Sequence, residues 1–439
     1  MKRLISLVLA AALAFVPAGC GQKGPSDADD TRAVPAASGP AAVELALWTY
    51  PVGDWGSGSA VSAIVSSFHR EHPDIHISVR TLSYTTGDSE IEAAIANGET
   101  PDLVFEGPER LTANWGARGL MADLGDLWES GSADQIYDSV AAACRSADGA
   151  RYIYPICMTT HCMAVNRDLF EAAGAWQYVD EEGHTWTTDS FAAAVKALRA
   201  YGVKTVGEVY CGGQSGDQGT RALVTNLYSG SFTDPEHTRY TFNCPENIQA
   251  LELLRGLDGI AFVEDALGAD SIDRFCAGET AMCFCWNVGQ EVTQTINDPS
   301  REFDIFPLAF PTNDGVFDLQ GGIWGLGIFD NGDKARIEAA KTFIRFLTED
   351  MARYTQAVLT STFWPVRDVP NIYDNDDLMR EYFLLREYLG DYYQVTPGWA
   401  EARTAWWTML RQIGDGADIA GAAAAFEKTA NAAAGQEGT

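Results

Sequence analysis

Residues 44–106 carry two hydrophobic periods in turn, and this alternation limits the possible folds more than any other feature of the chain. Between Glu44 and Thr49, Leu45 and Leu47 alternate with Ala46 and Trp48, the spacing of a half-buried strand. Val61, Ile64, Val65 and Phe68 then fall on one helical stripe that Ser59 opens and Pro73 stops. Ile75, Ile77 and Val79 return to a spacing of two. Ile91 and Ile95 mark a short helix ending at Gly98, and residues 101–105 read as a buried strand opening on Glu106. Strand, helix, strand, helix, strand is the order of a parallel sheet with crossover helices, an α/β architecture. Ligands of such sheets sit beyond the carboxyl ends of the strands, where Trp48, Tyr50 and Glu106 fall, with Asp54 in the adjoining glycine-rich loop.

The chain has 439 residues, 46% of them hydrophobic, which is more than one core usually organises, so two lobes are expected. Residues 151–174 mark the passage between them. Tyr152, Tyr154 and Ile156 alternate around Pro155, Cys162 to Val165 form a second apolar run, and Leu169, Phe170 and Ala173 recur at helical spacing before Gly174. A crossover between two α/β halves is a hinge, and a hinge over a cleft is a natural ligand site.

This segment resembles the crossover of family 1 extracellular solute-binding proteins, the receptors of ABC importers, with Val165 where the family has Tyr. Phe68, the run from Pro73 to Ile77, Gly98 to Asp102, and the stretch GLMADL at 119–124 follow the family's first-lobe order. Residues 214–230 resemble a second-lobe loop and apolar helix, in which Asp217 is a candidate hydroxyl acceptor with Asp54 and Glu106. In FCAGETAMCFCWN, at 275–287, the resemblance makes residues 281–286 a strand returning to the first lobe and carries over Trp286 and Asn287 as ligand contacts. Gly321 and Gly322 resemble glycines preceding a core strand, where the backbone can approach a ligand, with Trp324 just beyond. Trp364, Pro365 and Arg367 resemble a Pro-x-Arg element, and Trp399 stands where family members often stack an aromatic on sugar. The resemblance implies a two-lobe periplasmic-binding-protein fold, type II-like, with three crossovers near residues 153, 281 and 347. One lobe is expected from 43–153 with 281–347, the other from 154–280 with 348–439. It further implies a monomeric, non-enzymatic receptor that needs no cofactor and hands a carbohydrate to ABC permease subunits.

The N-terminus fits that location. Lys2 and Arg3 precede an apolar run from Leu4 to Val16, too short for a mature membrane span and suited to a signal peptide over 1–19. Pro17, Ala18, Gly19 and Cys20 resemble a bacterial lipobox, which implies a diacylated Cys20 anchored at the extracytoplasmic face of the cell membrane. Residues 20–42 have almost nothing to bury and read as a tether. A formal charge of −31 argues against nucleic acid and against a polybasic membrane patch. Eight further cysteines permit disulfides, Cys157 with Cys162 among them, without selecting any.

The chemistry expected of the site follows from residue types. Twelve Trp, 16 Tyr and 20 Phe supply flat faces on which a pyranose can pack while carboxylates and amides bind its hydroxyls. Trp48, Tyr50, Trp286, Trp324, Trp364 and Trp399 are the candidates, each weighed against ordinary core packing. Few Lys and Arg flank these positions, which disfavours an anion. A glycosidase would need a carboxyl pair, and Glu106 with Glu279 is one that spacing does not single out. His69, His72 and His76 are interrupted by Pro73, so no metal site is expected. The rival readings are a surface glycosidase and a receptor for a cationic solute.

Overall fold

The computed structural model describes residues 43–436, apart from 85, 130, 147, 214 and 215. The expected signal peptide, Cys20 and the tether lie outside the described residues. Among those described, no helix is long and apolar enough to cross a membrane.

The opening alternation folds as its periods require. Strands β1 (Val43–Thr49) and β2 (Ile75–Thr81) pair in parallel with Leu45 opposite Ile77, and β3 (Leu103–Glu106) joins β1 on its other side. The intervening helices are Gly58–Glu71 and Gly87–Asn97. The second ends at Gly98, whose φ of +70° is the left-handed conformation that closes a helix without steric cost. Phe68, from the first helix, packs edge-on against Phe343 and Phe346 of the later helix Lys334–Thr348.

Strand β4 (Tyr154–Thr160) belongs to this first sheet, and β5 (Cys162–Asn166) belongs to a second, with His161 the single residue between them. The helix after β5, Arg167–Ala172, starts where expected, its first turn capped by the Asn166 side chain accepting from the Leu169 N–H at 2.9 Å. The second sheet is built from β6 (Gly207–Tyr210), β7 (Ile260–Val263), β8 (Met282–Trp286) and β9 (Ile305–Leu308) with β5. Its order is β7-β6 and β8-β5-β9, and the two parts are tied by the Ala281 and Met282 N–H groups donating to the Val206 carbonyl at 3.0 and 2.8 Å.

The chain then returns. Strand β10 (Gly321–Ile328) runs antiparallel between β3 and β4, and the short β11 (Trp364–Pro365) pairs with β4, giving the first sheet the order β11-β4-β10-β3-β1-β2. The last helices, Trp399–Gly414 and Ile419–Ala433, pack on each other and on the second-sheet side.

The sheets therefore change at different places from those expected near 153, 281 and 347. The first change is at His161, because β4 completes its pairing with β10 before the chain leaves. Residues 281–286 do not return to the first sheet, since β8 is hydrogen-bonded to β5. The return falls between β9 and β10. After residue 347, the helix Met351–Ser361 and β11 still pack on the first sheet. Neighbouring apolar segments of similar length gave the sequence no means of choosing between the two sheets.

Candidate functional site

Where the two sheets face each other, side chains from both close around a cluster of buried charge. Strand β3 ends on Glu106, only 1% exposed, and Gly107 and Pro108 turn the chain directly into Glu109 and Arg110. A Cβ on Gly107 would meet a Glu109 carboxylate oxygen at 2.3 Å and the Ile323 carbonyl at 2.9 Å, so this turn requires glycine. Arg110 Nη1 donates to Glu106 at 2.8 Å, while its Nε and Nη2 grip Asp88 at 2.7 and 3.0 Å. Asp88 also accepts from the Tyr50 hydroxyl at 2.5 Å. The Arg110 guanidinium lies 5.1 Å over the Tyr50 ring and 5.8 Å over that of Tyr84, whose hydroxyl is 3.5 Å from Glu106.

The second-sheet side answers with Asp217, Arg221 and Arg403. Asp217 opens the helix Asp217–Leu227 and is 2% exposed; Arg221, one turn on, pairs with it, and Arg403 from the Trp399–Gly414 helix holds its other oxygen. The two sides are within electrostatic reach. Burial first and then the charge of Arg110 pull the Arg403 pKa down to about 10, opposed by Glu109, Asp88 and Glu106. Tyr392 closes one edge, donating to Glu109 at 2.8 Å.

Burial pushes the Glu106 carboxyl up to about 8, against the pull of Arg110 and with help from Glu109 and Asp88. Asp88 is held low by Arg110 and by the Tyr50 hydroxyl, although burial opposes this. Burial thus favours the protonated form of Glu106. Asp88, Glu109 and Asp217 then face Arg110, Arg221 and Arg403, three charges of each sign. The cluster is locally neutral in a chain of net −31.

An aromatic wall adjoins the charges. Trp324 on β10 is half-buried and stacks on Phe363 with ring centroids 5.1 Å apart and planes 14° from parallel. A register shift follows Trp324 in its pairing with β4, a local bulge of the kind that re-aims a side chain. Gly322 makes room for this ring: a Cβ there would stand 2.1 Å from the Trp324 indole. Tyr84 is 43% exposed, unusual for a large ring in this chain.

The hinge supplies the polar end. Asn287 caps the helix Val288–Asn297, accepting from the Gln290 N–H at 3.1 Å, and its amide nitrogen lies 3.4 Å from His161 Nδ1. Gln218 Nε2 is also 3.4 Å from that nitrogen. Gln320, just before β10, is fully buried with neither side-chain amide atom bonded to protein, although its backbone carbonyl accepts from the His161 N–H at 2.7 Å.

Of the residues singled out in the sequence, Tyr50, Glu106, Asp217, Asn287, Gly322 and Trp324 come to this region. The others do not. Trp48 lies under the Arg80 guanidinium at 4.3 Å, along the β1–β2 pair. Asp54 is exposed on the single turn Gly53–Gly56. Trp286 is fully buried, donating to the Tyr382 hydroxyl at 2.6 Å and edge-on to Phe275, because strand alternation sends Cys285, not Trp286, toward Gly216 and Gln290. Trp364 is fully buried beside Phe383. Trp399, 6% exposed, carries the Arg221 guanidinium 4.7 Å over its ring and packs against Tyr393 and Phe232, which makes it a support for the cluster and not an open face. The paucity of cations near the site is also corrected: three guanidiniums converge there from distant segments.

Sequence reasoning passed over Asp88, Tyr84, Arg110, Gln218, Phe363 and Arg403. The one available signal was Gly-Pro-Glu-Arg immediately after a buried strand, which places a charge pair at a strand end. Glu279 does not join Glu106. It is exposed in the turn before β8, at the opposite end of that strand from Asn287. Among the described residues no group of His, Cys, Asp and Glu could hold a metal, and all eight cysteines are free, Cys157 and Cys162 being buried on different sheets.

Two sheets joined by crossovers, with a buried polar and aromatic site between them, are the design of a solute receptor. The chain belongs to the bacterial extracellular solute-binding protein family, whose sequence model matches residues 53–354. That family acts outside the cytoplasm, and its members bind solutes. The fold is that of periplasmic solute-binding proteins. The ABC substrate-binding protein of Listeria monocytogenes in complex with cycloalternan superposes with a TM-score of 0.70 at 19% identity, over 90% of this chain and 99% of that one. A Thermotoga lettingae ABC transporter solute-binding protein bound with α-D-tagatose gives 0.72 at 14% identity, over 89% and 99%. UgpB of Mycobacterium tuberculosis in complex with glycerophosphocholine gives 0.69 at 19% identity, over 91% and 100%. No curated protein matches the sequence.

Proposed function

We propose that this chain is the solute-capturing lipoprotein of an ABC importer, anchored through Cys20, which takes a neutral carbohydrate, an oligosaccharide foremost, between its two sheets and delivers it to the permease. The observation that carries the reading is the charge-balanced cluster beside the Trp324 and Tyr84 faces. A pyranose presents C–H faces that pack on such rings and hydroxyls that both donate and accept. Protonated Glu106, the Asn287 and Gln218 amides and the unbonded Gln320 amide offer both roles. An ionic solute would leave one sign of the cluster without a partner. The complexes of similar proteins with cycloalternan and α-D-tagatose support a polyhydroxylated solute. Solute binding without turnover and a monomeric state complete the reading.

The test is calorimetric titration of residues 43–439 with neutral mono- and oligosaccharides, sugar phosphates and polyamines. Saturable, one-to-one binding of a neutral sugar recovered intact is expected. Binding confined to polyamines would favour the cationic-solute reading, and cleavage of the sugar would favour a glycosidase. Globomycin-sensitive processing and radiolabelled-palmitate incorporation, both lost in Cys20→Ser, test the anchor.

A further inference from the structure

His161 is the only residue between β4 and β5, and its backbone N–H bonds to Gln320 on the returning chain, so it ties together the outgoing and returning crossovers. Its ring faces the start of two second-sheet helices. Asn287 and Gln218 present their amide nitrogens to Nδ1, each at 3.4 Å. For Asn287 this orientation is fixed. Its Oδ1 is committed to the Gln290 N–H as the helix cap, so Nδ2 must point the other way, toward the ring. Nδ1 is therefore an acceptor, and the ring proton sits on Nε2.

We infer that His161 is a positioning residue of solute capture: its unprotonated Nδ1 holds the Asn287 and Gln218 amides in place at the hinge, and protonating it sets N–H against N–H and releases them. The surroundings oppose that proton. The Asp217–Leu227 helix contributes Gln218 and the Arg221 cation, whose own partner is Asp217, itself shared with Arg403. The Val288–Asn297 helix contributes the Asn287 donor and the buried Glu291 carboxyl, which accepts from the Tyr382 hydroxyl and acts on the neighbouring Cys162, and the returning crossover contributes the Gln320 backbone carbonyl, occupied by the His161 N–H. Both helix N-termini add the positive ends of their dipoles. Burial first, then Arg221, pull the imidazole down to about 4 from 6.5. A depressed histidine contributes stability that is full above pH 6.5 and is lost as pH falls toward 4.

The experiment follows the His161 ring by NMR from pH 8 to 3, assigning it by the signal lost in His161→Gln, and repeats the titration in Asn287→Asp. Aspartate keeps an oxygen for the Gln290 cap but turns its second oxygen, an acceptor, toward the ring. A midpoint well below 6.5 in the wild-type protein, moving above 6.5 in Asn287→Asp, is expected. A wild-type midpoint at 6.5, or one that Asn287→Asp leaves unmoved, overturns the inference. A second arm rests on the solute-capture reading: affinity for the bound sugar should be flat above the ring's midpoint and fall about tenfold per pH unit below it. His161→Gln should abolish that fall, and an identical fall in the variant also overturns the role. The ring titration needs no solute, so failure to find a ligand counts against the functional reading alone.

Discussion

Replacing Glu106 by Gln should stabilise the protein, increasingly so as pH rises. Gln keeps the shape and an oxygen for Arg110 Nη1, now 2.8 Å from Glu106, but does not ionise. In the folded chain the carboxyl holds its proton up to about pH 8, through burial chiefly, whereas in the unfolded chain it releases it near 4.5. Between those values the folded state binds the extra proton, so stability falls as pH rises through the window and is level above it. At 1.36 kcal/mol per pKa unit, the cost above pH 8 reaches roughly 5 kcal/mol as an upper bound. Unfolding entropy of roughly 2 cal/mol/K per residue makes 1 kcal/mol worth about 1 °C in a chain of this length, so Glu106→Gln should melt about 3–5 °C higher at pH 8.5 and match the wild type at pH 5. Differential scanning calorimetry from pH 5 to 9 measures this. Glu291 and Asp318, whose burial also raises them, to about 7 and 6, contribute to both curves and cancel in the difference. If Glu106→Gln melts lower than the wild type above pH 6, the carboxylate is ionised against Arg110 and the neutral-cluster argument fails.

Three further outcomes follow from the same geometry. Trp324→Ala should weaken solute binding by about 10- to 100-fold in calorimetric titration while leaving the melting temperature nearly unchanged, because its ring is half-open and stacked on only one side. Trp399→Ala should instead lower stability, by about 3–5 kcal/mol in denaturant unfolding, since the buried ring supports Arg221 and Tyr393. In the native protein at pH 8, a disulfide exchange reagent should reach the half-buried Cys244 before any other described cysteine. Burial pushes Cys157 and Cys211 up to about 12 and Cys276 and Cys285 up to about 11, and a fast burst from the buried thiols would contradict this packing.

The first sheet was legible because one hydrophobic period repeats with clear punctuation: Pro73 and Gly98 end helices, and β3 is a short run that can only be buried. The hinge was legible as a place but not to the residue. Both β4 and β5 are buried throughout, so neither shows the in-out alternation that would tell which sheet each joins. Site residues were found where one strand end determines them, as with Glu106 and Asn287. They were missed where partners arrive from afar: Arg110 meets Asp88, and Arg403 meets Asp217 across 186 positions of sequence. The tryptophans misled for a related reason. Trp286, Trp364 and Trp399 look like strand-end or loop aromatics in sequence, and only the packing of Tyr382, Phe383 and Arg221 against them makes them interior. Trp324 differs from them by a neighbouring glycine and a bulge, features of backbone geometry that composition does not reveal.

A crystal structure of residues 43–439 with the sugar selected by titration tests the central claim most directly. Solute density should lie between the sheets, one ring against Trp324 and hydroxyls within hydrogen-bonding distance of Glu106 and Asn287. Density elsewhere, such as the groove of about 580 Å³ between the Trp399–Gly414 and Ile419–Ala433 helices, would contradict the account.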